Sequence, residues 1–197
     1  MATPTLRLAQ DPDADALLSR DPLALLVGML LDQQFPMERA FGAPYLLAGR
    51  LGRERLDPGE LAAHDPDGLA KLMAGPPALH RYPAAMGARI QELCRHLNQA
   101  YGGDAAALWR TAASGPELLR RLRALPGFGE QKSRIFVALL GKQLGVRPPG
   151  WQEAAGAYGE PGSRRSVADV TGPDTLAEVR AFKQAAKRAG RPQVTPG

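Results

Sequence analysis

The chain has 197 residues, a mass of 21.0 kDa, 44% hydrophobic residues and 23% charged residues. This length allows one domain or two small lobes with a sizeable core, and this composition excludes disordered and collagen-like chains. The single cysteine, Cys94, excludes an internal disulfide, a four-cysteine iron–sulfur cluster and a four-cysteine zinc site. The longest apolar run near the N-terminus, Leu23 to Leu31, is too short to span a bilayer, so we expect a cytoplasmic protein without a membrane partner.

The net charge of +5 is distributed unevenly along the chain. Residues 1–79 carry seven basic and 11 acidic side chains, whereas residues 118–147 carry seven basic side chains and only one acid, Glu130. From Arg164 onward there are seven basic and three acidic side chains. A polarised basic half favours a polyanionic partner, most simply nucleic acid. Charge alone leaves open the alternative of a solvated, arginine-rich surface.

Helix signals recur along most of the chain and strand signals do not, which predicts an all-α fold. Asp-Pro pairs, in which the aspartate is the N-cap and the proline the first helical residue, predict three helix starts at Asp21, Asp57 and Asp65. The first of these helices runs through Leu31 toward Gln34. Another begins at Met37.

The next predicted element is an amphipathic helix over 83–101 that ends at two glycines. Cys94 lies beside its apolar stripe, which indicates a packed core thiol. Ser114 and Pro116 cap a short helix that runs to about Arg123, and a further helix is expected from Glu130 to Leu144.

The C-terminal part begins with a Gly- and Pro-rich stretch, 148–163, which predicts a loop longer than a connector requires. Asp174 and Thr175 are expected to cap a last basic helix over 174–189. We expect residues 190–197 to be frayed.

The most informative segment is 116–144, where the sequence Leu125-Pro126-Gly127-Phe128-Gly129 joins two predicted helices. Its two glycines allow positive φ angles and a close backbone approach in a tight hairpin. The hairpin leads directly into a helix N-terminus, whose free N–H groups and positive dipole end suit a DNA phosphate. Lys132, Arg134 and Arg123 would surround it with positive charge. The alternative is a generic corner between two packed helices.

These residues resemble the helix-hairpin-helix base-excision DNA glycosylases, the superfamily of endonuclease III, adenine glycosylase, 8-oxoguanine glycosylase and alkylpurine glycosylases. Leu30-Leu31-Asp32-Gln33-Gln34 is similar to the family's "LL-x-x-Q" helix end, and Leu79-His80-Arg81-Tyr82 resembles its loop that wedges the opposite strand. The resemblance implies a two-lobed, helical glycosylase-like fold over 1–197 as a single domain. It also implies a monomeric, nucleoid-associated repair protein whose partner is double-stranded DNA.

The family implies roles for particular side chains. Gln34 would face the gap left by the extruded base, and Tyr82 or Phe35 could stack where that base leaves. A polar helix end at Gln34, and purely structural roles for His80 and Tyr82, remain alternatives. The full set of expected DNA-binding residues is Leu125, Gly127, Phe128, Gly129, Lys132, Arg134, Gln34 and Tyr82.

Such enzymes cut an N-glycosidic bond through a cationic sugar, and members with strand-cleaving activity use a lysine that forms a Schiff base. Alignment on the hairpin puts Gln131 at that lysine position. Lys132, one residue later, is expected to point roughly 100° away from the pocket and to contact a phosphate. The sequence therefore predicts a monofunctional glycosylase without lyase activity.

The family's catalytic aspartate has no counterpart at the aligned position, which falls near Pro149. Residues 166–171 look like the family's "x-V-D-T" segment displaced by an insertion, which makes Asp169 the catalytic candidate. A turn- or helix-capping aspartate is the alternative for this residue. Glu153 and Asp32 are further candidates.

No cofactor is expected, because the four-cysteine cluster motif is absent from the sequence and the three histidines lack a recognisable ligand spacing. A structural Na⁺ or K⁺ held by hairpin carbonyls is compatible with the resemblance. Two other functions remain open. One is a catalytically silent member of the same fold that binds damaged DNA, and the other is an unrelated helical interaction module.

Overall fold

The computed structural model describes residues 5–190 and confirms the all-α prediction, since that part of the chain contains eleven α-helices and no strand. Short 3₁₀ turns lie at Gly156–Gly159 and Val167–Asp169. The helices are α1 (Pro12–Arg20), α2 (Pro22–Leu31), α3 (Met37–Arg50), α4 (Pro58–Ala63), α5 (Pro66–Ala74), α6 (Pro83–Tyr101), α7 (Ala107–Arg110), α8 (Gly115–Arg123), α9 (Glu130–Gln143), α10 (Trp151–Ala155) and α11 (Pro173–Ala189).

Asp-Pro pairs define the helix starts in the first half of the chain. The carboxylates of Asp21, Asp57 and Asp65 each accept hydrogen bonds from main-chain N–H groups in the first turn of α2, α4 and α5. These three predicted starts are confirmed. The same signal at Asp11-Pro12 begins α1, which the sequence analysis overlooked.

The helices pack in two groups. Helices α1 to α6 contact one another, and the elements from α7 onward form the second group around α9. Buried apolar side chains from both groups join in one continuous cluster. Helix α2 is buried from Leu23 to Leu31, so its C-terminal end is fixed where the two groups meet.

Helix α6 follows its prediction closely. It runs from Pro83 to Tyr101 and ends at Gly102, which has a left-handed conformation. Cys94 is fully buried, and this burial raises the pKa of its thiol to about 12. The interpretation of Cys94 as a packed, unreactive core thiol is therefore confirmed.

The predicted loop over 148–163 is only partly a loop, because it contains α10 and the first 3₁₀ turn. Its apolar residues explain the difference. The indole of Trp151 lies against Gly141, where a side chain would overlap with the ring, and Ala154 and Ala155 are buried. Packing against α8 and α9 thus stabilises a short helix in a Gly- and Pro-rich stretch.

Helix α11 begins one residue earlier than predicted, at Pro173, with Gly172 as the N-cap. Thr175 acts at this end as expected, since its Oγ1 accepts from the N–H groups of Thr171 and Gly172 at 2.8 and 3.1 Å. Asp174 forms no such contact among the described residues. The expected fraying concerns residues 190–197, of which 191–197 lie outside the described part.

Within residues 5–190, none of the helices combines the length and apolarity that a bilayer crossing requires.

Candidate functional site

The hairpin Leu125–Gly129 lies against the end of α2. Gly127 has φ +80°, and a Cβ at this position would overlap with Leu30 Cδ1. Gly129 differs, because its φ of −81° and ψ of −178° are extended and open to any residue. The expectation of glycine-specific geometry is therefore confirmed at Gly127 and wrong at Gly129.

The main-chain amides at the start of α9 are uncapped. Gly129 is the N-cap and has no side chain that could accept from them. The first amide with a helical partner belongs to Ser133, which donates to the Gly129 carbonyl at 3.0 Å. Those of Glu130, Gln131 and Lys132 have no acceptor among the described residues, and Gly129, Glu130 and Gln131 are exposed. Such a helix end offers several N–H groups to an anion.

Two predicted DNA-binding residues in the hairpin are core residues instead. Leu125 is 3% exposed and Phe128 is 4% exposed. The Phe128 ring packs edge-on against Phe136, with 6.2 Å between ring centroids. These side chains anchor the hairpin, so only the main chain of this segment is available to a phosphate.

The arginines beside the hairpin are paired. Glu130 accepts from Arg123 at 2.8 Å and from Arg134 at 2.7 Å. Arg134 also donates to the Ala154 carbonyl at 2.8 Å, which ties α10 to α9. Arg134 is therefore occupied by contacts within the protein, and it is not the free phosphate ligand that the sequence predicted.

A cleft of about 440 Å³ lies between the start of α9, the end of α2 and the side of α11. This volume is within the range of about 300–1,000 Å³ that is typical of ligand sites. We refer to it below as the cleft. Its lining residues are Met29, Asp32, Gln131, Lys132, Ile135, Tyr158, Arg165, Phe182, Lys183 and Ala186.

Lys132 points into the cleft, which corrects the expectation that it turns away from the pocket. Its Nζ donates to the Leu30 carbonyl at 3.0 Å, at the C-terminal end of α2. Neighbouring residues of a helix point about 100° apart, but the cleft is wide enough for the side chains of both Lys132 and Gln131 to line it. Burial lowers the pKa of Lys132 to about 8, although the carboxylate of Asp32 opposes this shift.

Asp32, named only as a further candidate, is the carboxylate of the cleft. It is the C-cap of α2, where the negative end of the helix dipole disfavours an anion. Its oxygens form no hydrogen bond or ion pair with the described residues. Burial raises the pKa of Asp32, while the nearby charges of Lys183 and Lys132 lower it. An unpaired carboxylate facing two lysines in a cleft suits chemistry more than stability.

Gln131 shares the cleft with Tyr158. Its Nε2 donates to the Tyr158 hydroxyl at 2.9 Å. This contact fixes the Gln131 side chain beside Lys132 and leaves its carbonyl oxygen available as an acceptor.

Asp169 lies outside the cleft, and its carboxylate, unlike that of Asp32, is paired. Its side chain is 3% exposed and pairs with Lys142 at 2.6 Å. It also accepts from Ser163 Oγ and from the Arg165 N–H, both at 2.9 Å. Asp169 does not line the cleft, and its lone pairs are used inside the protein. The structure thus favours the capping role that the sequence left open. The other candidate, Glu153, is exposed on α10 and outside the cleft.

The segments 30–34 and 79–82 meet at His80. Its Nε2 is 3.0 Å from the Gln33 carbonyl, and its Nδ1 accepts from the Tyr82 N–H at 3.1 Å. Gln34 is exposed in a left-handed conformation with φ +53°, and Tyr82 is 48% exposed. The structure therefore presents an amide and a phenol on adjoining loops.

No protein-family model matches the chain, and a search of curated proteins finds no match. Within residues 5–190 there is no cluster of three or more His, Cys, Asp or Glu side chains that could hold a metal ion. A cation on the hairpin carbonyls stays a prediction.

Sequence reasoning missed Tyr158, Phe182 and Lys183 as cleft residues. Nothing local distinguishes them, because α9 and α11 lie far apart in the sequence. A signal for Asp32 did exist: an acid at the C-terminal end of an apolar helix is placed against the helix dipole.

Proposed function

We propose that this protein is a base-excision DNA N-glycosylase, which binds duplex DNA and hydrolyses the N-glycosidic bond of a damaged or mispaired nucleotide. The observation that carries the proposal is the position of Asp32 and Lys132 in a cleft that begins at the uncapped N-terminus of α9. The resemblance of the hairpin and of the 30–34 segment to those of the helix-hairpin-helix DNA glycosylases supports the same function.

The first step is binding of the DNA backbone. The uncapped amides of residues 130–132 would hold a phosphodiester, and this contact carries no sequence information. Gln34 and Tyr82, which are exposed on adjoining loops, would fill and stack in the space that an extruded nucleotide leaves.

The second step is cleavage of the glycosidic bond. As the bond to the base breaks, positive charge develops on the sugar, and the Asp32 carboxylate would stabilise it or orient the attacking water. The hydroxyl of that water ends on the sugar C1′, and its proton ends on the released base. The charges of Lys183 and Lys132 oppose the rise in the pKa of Asp32 that burial causes and so favour its ionised form.

The test is incubation with duplexes that carry uracil, alkylated purines, oxidised purines or mismatches, followed by alkaline cleavage of any abasic site. We expect product from at least one duplex and its loss in Asp32→Asn. Glu153→Gln is the matched control, because Glu153 is an exposed acid outside the cleft. Binding without product across the panel would favour the catalytically silent DNA-binding protein instead.

A lyase activity is a second candidate, favoured by the position of Lys132. An amine with a pKa of about 8 is partly neutral near physiological pH and can attack an aldehyde. Attack on the C1′ aldehyde of an abasic site releases water and forms an imine, and β-elimination then releases the 3′ phosphate. The prediction of a monofunctional enzyme depended on Lys132 pointing elsewhere, and this reason no longer holds.

Borohydride reduction distinguishes the two activities. A covalent protein–DNA adduct in the wild type that is missing in Lys132→Gln would establish the lyase. Base release without any adduct would establish hydrolysis alone.

A further inference from the structure

The last ten residues of helix α11 carry only positive charge. Residues 180–189 contain four basic side chains and no acid, and all of them are exposed. Arg180 pairs with Glu38, whereas Lys183, Lys187 and Arg188 form no ion pair with the described residues. Val179 is the last buried residue of the helix, so packing does not explain the composition beyond it.

One face of this segment is directed at the cleft. Phe182, Lys183 and Ala186 line the cleft, and Lys187 follows Lys183 by four residues on the same side of the helix. Cations in the last turn of a helix interact favourably with the negative end of the helix dipole. This interaction accounts for Lys187 and Arg188 but not for Lys183. A second explanation is therefore required for the lysine and the aromatic ring inside the cleft.

Phe182 is an exposed aromatic residue with a cation beside it. Its ring is 40% exposed, and the Arg165 guanidinium lies 5.4 Å from the ring centroid. Proteins that bind unpaired nucleotides combine a basic groove with aromatic rings on which bases stack. The cleft has both features on its α11 side.

We propose that this face of α11 binds the DNA strand that carries the extruded nucleotide. Phe182, backed by Arg165, stacks on the extruded base, and Lys183 and Lys187 contact the flanking phosphates. The strand is thus held from two sides, by the amides of α9 and by α11. This inference rests on the proposed function and adds a binding surface to it.

The lysines are tested by the salt dependence of duplex binding, measured by fluorescence anisotropy. Each lost phosphate contact lowers the slope of log K against log salt by about 0.9. We expect the double variant Lys183→Gln, Lys187→Gln to have a slope smaller by about 2, with circular dichroism unchanged. Lys71→Gln is the control, since Lys71 is an exposed lysine of α5 outside the cleft. An unchanged slope in the double variant would overturn the assignment.

Phe182 is tested with a duplex that contains one unpaired nucleotide, compared with the fully paired duplex. Loss of one base–aromatic stack weakens binding by about fivefold to a hundredfold. We expect Phe182→Ala to lose the preference for the unpaired nucleotide to this extent and Phe182→Trp to keep it. Tyr45→Ala is the matched control, because Tyr45 is similarly exposed on α3 but lies outside the cleft. A preference that survives in Phe182→Ala would contradict the proposal.

These results separate the inference from the proposed function. Wild-type protein that does not bind duplex DNA in a salt-dependent way would contradict the proposed function itself. Wild-type binding together with unaltered α11 variants would contradict the role of α11 alone.

Discussion

Asp32 is a half-buried carboxylate without a hydrogen-bond partner among the described residues, and partial desolvation in the cleft raises its pKa. Groups of this kind reduce stability and are retained for function. We expect Asp32→Asn to raise the midpoint of thermal unfolding by about 2–4 °C, the shift that ~1 kcal/mol produces in a chain of this size. Calorimetry on the Asp32→Asn protein that was used in the activity assay measures this midpoint. A lower midpoint would show that Asp32 stabilises the fold.

The activity of Asp32 also has a predicted pH dependence. Its ionised form is the active one, and its raised pKa moves the acid limb of the pH–rate profile above the ordinary value of 3.8. Single-turnover rates of base release between about pH 4 and 8 measure this limb. A rate that stays constant to the lowest pH at which the protein remains folded would exclude Asp32.

Asp169 should behave in the opposite way to Asp32. Removing one partner of a buried ion pair costs about 3–5 kcal/mol, and Asp169 is paired with Lys142. We therefore expect urea unfolding to show a loss of that size in Asp169→Asn, while activity per folded molecule is retained. Glu178→Gln breaks the exposed pair with Arg164 and should cost less than about 1 kcal/mol. Folded but inactive Asp169→Asn would restore the catalytic interpretation of Asp169.

His80 links stability to pH. Burial lowers its pKa from the usual 6.5, because desolvation disfavours the protonated imidazole, while the Gln33 and Leu31 carbonyls oppose this shift. The unfolded chain then binds more protons than the folded chain as the pH falls below about 6.5, so the free energy of unfolding decreases in that window. We expect a steeper decrease in the wild type than in His80→Asn, with His96→Asn as the control. Parallel curves for the wild type and His80→Asn would contradict this linkage.

At the scale of single elements, the sequence contained enough to place most helices. The Asp-Pro caps, the glycines after Tyr101 and the apolar spacing of α6 are local signals, and local signals decide helix ends. Helix α10 lacked such a signal. It exists because Trp151 packs on Gly141, a contact made by tertiary structure. Gly and Pro content alone therefore predicted a loop.

The two hairpin glycines give a matched pair of variants. Gly127→Ala places a side chain at φ +80° and into Leu30, which should cost about 1–3 kcal/mol. Gly129→Ala places a methyl group in open space on an extended backbone, so we expect only the small cost of replacing an N-cap glycine, less than about 1 kcal/mol. Denaturant unfolding of both variants makes the comparison. Equal losses would mean that the hairpin is not packed as described.

At the scale of the whole molecule, the candidate site could be predicted only in part. The hairpin and the 30–34 segment carry recognisable sequences, and the structure brings them into contact at Leu30. The cleft itself combines side chains from α2, α9 and α11, and which of them face one another follows from packing between the two helix groups. Helical geometry within α9 does not specify which residues lie opposite it. The sequence therefore did not predict that Lys132 enters the cleft or that Asp32 is its carboxylate.

The central claim is that the amides at the start of α9 bind a DNA phosphodiester, and amide NMR of ¹⁵N-labelled protein during titration with duplex DNA tests it most directly. We predict that the amide signals of Glu130, Gln131 and Lys132 shift with saturation. The amides of Glu60 and Gly68, which are capped by Asp57 and Asp65, should stay in place. Duplex binding that leaves the three α9 amides unshifted would contradict the claim.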